Sequence, residues 1–150
     1  MVPIIDASGG SIEHFAGDGV LVLFNAFVEQ PDHPARAARC ALDVVRSSDA
    51  IAAGNGCPRF RVGINSGAVV AGTVGAAGRR SFATIGDTTN LASRLMSAAE
   101  PGGIVVGPST AIHLEAMAEL DLTPLGPLEV KGKREPINAW LLSGTISSAR

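Results

Sequence analysis

The run Ser81-Phe82-Ala83-Thr84-Ile85-Gly86-Asp87-Thr88-Thr89-Asn90-Leu91-Ala92-Ser93-Arg94 decides how this chain is read. It reads as a strand delivered through a Gly86-Asp87 turn straight into a helix. Asn90 and Arg94 stand four residues apart, so they project from one face of that helix, while Leu91 and Leu95 face the core. Asp87 stands where a helix N-cap is expected.

Outward from this run, Met1 to Ala7 reads as a short helix ended by Ser8-Gly9-Gly10. Ser11 to Ala16 and Val20 to Phe24 read as strands around Gly17-Asp18-Gly19, where an Asp-Gly pair permits the backbone angles of a tight hairpin. Ala35, Ala38, Leu42 and Val45 recur at helical spacing, with His33-Pro34 at the entry and Gly54-Asn55-Gly56 as the stop. Arg59 to Asn65 and Ala68 to Val74 form a second expected hairpin, and Arg80 to Ile85 a further strand. A helix over Thr88 to Ala99 stops at Pro101-Gly102-Gly103. A short strand Ile104 to Val106, a helix from about Thr110 to Ala118, and strands near Leu128 to Val130 and Ile137 to Leu142 complete the order. Helices and antiparallel strands intermixed in this way predict an α+β sandwich, with helices over one face of the sheet. Gly17, Gly63, Gly67, Gly72 and Gly75 are assigned to turns and close packing.

At 150 residues, 46% hydrophobic and with a net charge of -2, the chain has the composition of one globular domain and no bias toward nucleic acid. Its apolar runs are too short to span a bilayer, and the N-terminus lacks the basic region and apolar core of a signal peptide. The expectation is a soluble, cytoplasmic protein with a domain over residues 1–144 and a frayed tail over 145–150. Cys40 and Cys57 lie in no metal-like cluster and are expected to be reduced. His33 and His113 likewise lack metal-like partner spacing.

Three motifs in order carry a resemblance: Gly10-Ser11-Ile12-Glu13-His14-Phe15-Ala16-Gly17-Asp18-Gly19, then Phe60-Arg61-Val62-Gly63-Ile64-Asn65-Ser66-Gly67, then the Ser81 to Arg94 run. From about Gly9 to Leu142 the chain resembles the catalytic domain of class III adenylate and guanylate cyclases. The resemblance implies an α+β, ferredoxin-like sandwich, here without the family's first strand and its metal-binding aspartate. Before Gly9 the one carboxylate is Asp6, in a helical segment. The implied reaction turns ATP, or GTP, into a 3′,5′-cyclic nucleotide and pyrophosphate.

By the same resemblance, Asp18 holds magnesium or manganese in a two-metal site, a fitting role for a hard oxygen ligand. Asn90 orients the ribose, and Arg94 stabilises charge on the α-phosphate through a guanidinium that stays ionised. Lys131, in Leu128-Glu129-Val130-Lys131-Gly132-Lys133, reaches the triphosphate. Arg79 and Arg80, on the Gly78 loop, carry the same two readings, a phosphate contact or solvated surface. The base-reading positions are His14 and Ala83, which match neither the adenylate nor the guanylate set. The plainer accounts are a turn aspartate at Asp18, a satisfied sheet histidine at His14 and solvated surface at Asn90, Arg94 and Lys131. The family shares its sites across a dimer. The chain is therefore read as a cyclase in a homodimer or heterodimer, weak or inactive by itself; the alternatives are a non-catalytic pairing module and a truncated copy of a longer cyclase.

Overall fold

The computed structural model describes residues 1–78 and 81–144. Its elements run α1 (Val2–Ala7), β1 (Ser11–Ala16), β2 (Gly19–Leu23), α2 (His33–Asn55), β3 (Val62–Ile64) and β4 (Val70–Val74). They continue with β5 (Ser81–Ile85), α3 (Asp87–Ala98), β6 (Ile104–Val106), α4 (Pro108–Leu114), β7 (Leu120–Leu128) and β8 (Ile137–Gly144). Arg79, Arg80 and the expected tail over 145–150 lie outside the described residues. No helix among the described residues is long and apolar enough to cross a membrane.

Burial of β6 explains the layering. Its three residues are all buried, yet Ile104 and Val106 join one apolar cluster and Val105 joins another. Side chains alternate between the faces of a strand, so complete burial requires cover on both sides. Ala38, Ala41 and Val45 of α2, with Ala111 and Leu114 of α4, cover the face that presents Ile64, Ile104, Val106 and Leu142. Leu91 and Leu95 of α3 cover the opposite face, against Val105 and Ala139. The expectation of helices over one face is corrected accordingly for this sheet. Fully enclosed side chains such as Leu95 and Leu114 each contribute about 2 kcal/mol of apolar burial. A third cluster, Ile5, Cys40 and Val44 with Ile12, Val22 and Phe24, seats α1 and the β1–β2 hairpin on α2. Burial there pushes the Cys40 thiol upward, which suits an unreactive core position, while Cys57 is exposed.

The four-stranded sheet has the order β3-β6-β8-β7, with β3 parallel to β6 and the other pairs antiparallel. β1 pairs with β2, and β4 with β5, as separate hairpins. The expected hairpin between the segments now seen as β3 and β4 is therefore not formed. Local pattern marks both as extended, but Ile64 is buried and Val70 is 73% exposed, so the two belong to different surroundings. β7 also begins eight residues before the strand expected near Leu128. Pro124, Gly126 and Pro127 obscure it; a register shift between Pro124 and Gly126 absorbs them at the edge of the sheet, where proline is tolerated. α4 starts and ends earlier than expected, at Pro108 and Leu114. By contrast, α2 keeps its expected ends, with Pro34 in its first turn and the left-handed Gly56 at its close.

β3 and α3 meet backbone to backbone. A Cβ on Gly63 would overlap the Ala92 carbonyl oxygen and the Met96 nitrogen, and would meet Met96 Cα at 3.0 Å. Gly72, by contrast, has open space around it, so its assignment to close packing is not met. Gly63→Ala is expected to lower unfolding stability by about 3 kcal/mol, because neither backbone segment can yield without moving the other. Gly72→Ala is expected to leave stability unchanged or raise it by up to about 1 kcal/mol. Urea unfolding of the two variants beside the parent protein checks both.

Candidate active site

β5 ends at Gly86, whose backbone angles, φ 147° and ψ 171°, fall in a region nearly confined to glycine. That residue turns the chain directly into α3. Asp87 is the first helical residue, not the N-cap; Gly86 occupies the cap and no side chain closes it. The first turn is instead held from outside. Thr88 Oγ1 donates to the Ala68 carbonyl at 2.7 Å, and Asn65 Nδ2 donates to the Thr88 carbonyl at 3.0 Å. Thr89 Oγ1 lies 3.4 Å from Thr84 Oγ1, and Lys133 Nζ pairs with Asp87 Oδ2. Gly67 leaves the space that Thr88 fills, since a Cβ there would lie 2.7 Å from Thr88 Oγ1.

Leu91 and Leu95 bury the inner face of α3, as the sequence indicates, so Asn90 is exposed and Arg94 partly so. Arg94 reaches the Lys131-Gly132-Lys133 turn. A Cβ on Gly132 would meet Arg94 Nη2 at 3.0 Å and Nη1 at 3.2 Å, and Gly132 holds a left-handed φ of 87°. Lys131, Gly132, Lys133 and Arg134 also line a shallow cavity of about 500 Å³. Arg94, Lys131 and Lys133, the last offset by Asp87, thus gather at one turn beside the start of α3, with Glu129 also lining the cavity. Their fixed positive charge suits a polyanion.

Asp18 sits at the exposed tip of the β1–β2 hairpin, within the two-residue loop between Ala16 and Gly19. The left-handed angle falls on Gly17, φ 62°, and not on the Asp18-Gly19 pair as expected; this is where a type II′ hairpin needs it. Asp18 makes no hydrogen bond or ion pair among the described residues, so its oxygens are open to a hard cation. No three His, Cys, Asp or Glu side chains gather as a metal centre among those residues. Asp18 is thus a fitting ligand with no coordination sphere of three such side chains around it among the described residues. His14 is about half exposed, and Ala83 lies on β5 opposite Gly72. The structure places Asn90 one helical turn before Arg94 and brings Arg94 to the Lys131 turn. It draws β1 toward β5, and it leaves Asp18 apart at its hairpin tip. His33, at the start of α2, is held below its ordinary pKa by burial and by His113 on α4.

The family model for the adenylate and guanylate cyclase catalytic domain matches residues 11–144. Adenylate cyclase 1 of Rhizobium meliloti (strain 1021) is 33% identical over 148 residues, covering 95% of this chain and 22% of that protein. The chain thus spans about a fifth of that relative's length. Among solved structures, the adenylyl cyclase CyaB from P. aeruginosa superimposes with a TM-score of 0.90 at 26% identity, covering 99% of this chain and 79% of that one. The guanylate cyclase domain of RhGC from Catenaria anguillulae, in complex with GTP, gives a TM-score of 0.82 at 27% identity, covering 95% and 77%. The chain belongs to the adenylate and guanylate cyclase catalytic domain family, and it has the class III cyclase fold.

Glu13, Asn65, Thr84 and Thr88 are absent from the residues singled out by sequence, yet they hold the frame around α3. One signal was available: Glu13-His14 places two polar residues in succession in an otherwise alternating strand, the mark of a bulge. Asn65→Ala removes the donor to Thr88 and is expected to cost about 1 kcal/mol in unfolding. The accompanying local effect is faster hydrogen exchange at the Asn90 amide, which bonds to the Gly86 carbonyl at 3.3 Å. Exchange at the Leu142 amide, in the middle of β8, should track global stability alone.

Proposed function

We propose that residues 1–144 form the catalytic unit of a nucleotidyl cyclase, converting ATP or GTP to a 3′,5′-cyclic nucleotide and pyrophosphate. The observation that carries this reading is the convergence of Arg94 with the Lys131-Gly132-Lys133 turn beside Asn90 on a cyclase scaffold. In this reading the ribose 3′-hydroxyl loses its proton to water as its oxygen attacks the α-phosphorus, the bond to the bridging oxygen breaks, and pyrophosphate leaves. Asn90 orients the ribose. Arg94, backed by the Gly132 turn, meets the charge that grows on the α-phosphate in the transition state. Lys131 neutralises the triphosphate, and His14 and Ala83 flank the base. Asp18 contributes an oxygen ligand to magnesium or manganese, which would supply Lewis-acid activation when bound.

The proposed working form is a dimer, a homodimer or a pair with another cyclase domain, in a cytoplasmic setting. Asp18 and Arg94 stand on separate elements with no hydrogen bond or ion pair between them, which fits a site completed across two chains. A second reading is a partner that donates Asn90 and Arg94, which share the outer face of α3 away from the buried Leu91 and Leu95, to another chain.

Mixing this chain with a complete family member whose corresponding arginine is replaced, but whose metal aspartates are intact, tests both. Cyclic nucleotide formation is expected to reappear on mixing. Arg94→Ala in this chain is expected to reduce that rescue about a hundredfold, the usual loss on removing one transition-state donor. Rescue that persists with Arg94→Ala, or no rescue despite heterodimer formation in sedimentation, rejects the assignment of Arg94.

A further inference from the structure

Glu13 is the odd residue of β1. Ile12 faces Val22 and His14 faces Leu21 in the ladder to β2, so Glu13 is left between them as the extra residue of a bulge. Bulges re-aim side chains. Here the carboxylate is turned out of the β1–β2 pair and toward β5, where its side chain is only 2% exposed. It accepts both donors of one residue: the Thr84 amide at 2.7 Å on Oε1 and the Thr84 hydroxyl at 2.6 Å on Oε2. β1 and β5 are not paired as strands, so this carboxylate joins two hairpins that the sheet ladder leaves separate.

The join has a direction. Thr84 Oγ1 donates its hydrogen bond to Glu13, leaving its lone pairs to accept from Thr89 Oγ1 at 3.4 Å, and Thr89 directly precedes Asn90 on α3. On the other side, His14 Nδ1 lies 3.5 Å from Glu13 Oε1. Glu13 is thus next to His14 in sequence and bonded to the neighbour of Ala83. A buried carboxylate is costly to desolvate, and two apolar side chains would tie the hairpins together at less cost. What the carboxylate adds is fixed geometry: two charge-assisted bonds to one residue set both distance and orientation between the strands.

We infer that Glu13 is a positioning residue for the purine base: through Thr84 it sets the gap between His14 and Ala83 into which the base docks. This rests on the cyclase reading above, and its substrate class is a purine nucleoside triphosphate. Glu13 does not touch the base itself, because its side chain is enclosed and both oxygens are turned to Thr84. Loss of the clamp should therefore weaken recognition of the base and leave recognition of the phosphates intact.

Equilibrium binding to the full chain with magnesium separates the two, using 3′-deoxy-ATP and 3′-deoxy-GTP, which lack the attacking oxygen, alongside inorganic tripolyphosphate. Glu13→Gln and Thr84→Val are expected to weaken the preferred deoxynucleotide at least about tenfold while tripolyphosphate affinity stays within about twofold. Thr84→Ser, which keeps both donors, is expected to bind like the parent. Should Glu13→Gln fail to fold, as seen by a lost thermal transition, the Thr84→Val and Thr84→Ser pair decides. Nucleotide and tripolyphosphate affinities that fall together make Glu13 structural only and overturn the inference, as do variants that bind nucleotide like the parent. A parent chain that binds tripolyphosphate but neither deoxynucleotide overturns the cyclase reading along with it, whereas normal parent binding with unaffected variants overturns this inference alone.

Discussion

Between Gly63 and the Ala92–Met96 turn of α3 there is no room for a side chain, and the position of everything that α3 carries follows from that contact. Most helices stand off a sheet by the thickness of their side chains, and small shifts in packing move them. Here one backbone rests on the other. Leu91 and Leu95 then lock the rotation of α3 about its axis by filling the sheet's second face beside Val105 and Ala139. With distance set by a glycine and rotation set by two leucines, the exposed face that bears Asn90 and Arg94 has little freedom left.

The start of α3 is fixed by a different means. An uncapped helix N-terminus leaves several amide groups without helical acceptors, and local fraying is the usual consequence. None of the bonds at this end accepts from those amides among the described residues, but tertiary bonds anchor the turn against fraying: Asn65 to the Thr88 carbonyl, Thr88 to the Ala68 carbonyl, and Lys133 to Asp87. None of these comes from α3's own sequence alone. They tie its first turn to the segment after β3 and to the turn before β8, so the geometry of Asn90 depends on two distant parts of the chain. The Lys133–Asp87 pair is largely exposed on the aspartate side and adds little energy by itself. Its effect is to hold the Lys131 turn near Arg94.

Much of this was legible in residue order. Gly86-Asp87 marked the strand-to-helix change, and the four-residue spacing of Asn90 and Arg94 placed them on one face because helical period is local physics. The ends of α2 were legible for the same reason, since Pro34 and Gly56 act on their own backbone. What was not legible is non-local. The partner of β3 is β6, forty residues away, and nothing in Val62-Gly63-Ile64 specifies it. β7 was obscured because its prolines are tolerated only at a sheet edge, and edge status is a property of the assembled sheet. Gly63 was assigned to turns and close packing, but that α3 is what rests on it, and that Glu13 clamps Thr84, required knowing what lies opposite. Asp87 shows the converse error: a good capping residue by type, it is displaced by one position because Gly86 alone adopts the angles required there.

Glu13 and Asp18 show how burial sorts two carboxylates on one hairpin. Glu13 is enclosed, so its charge must be compensated within the protein, and Thr84 provides two donors for it. Enclosed and with both oxygens turned to Thr84, it is out of a ligand's reach. Asp18, five residues later, projects from a two-residue loop into solvent, where water satisfies it at no structural cost. A cation can replace that water without disturbing any protein bond, while the short loop keeps the carboxylate from wandering. The same residue chemistry therefore serves as framework at one end of the strand and as an available ligand at the other. The bulge at Glu13 is what permits both, because without the extra residue Glu13 could not be turned from the β1–β2 pair toward β5 while the rest of the hairpin keeps its register.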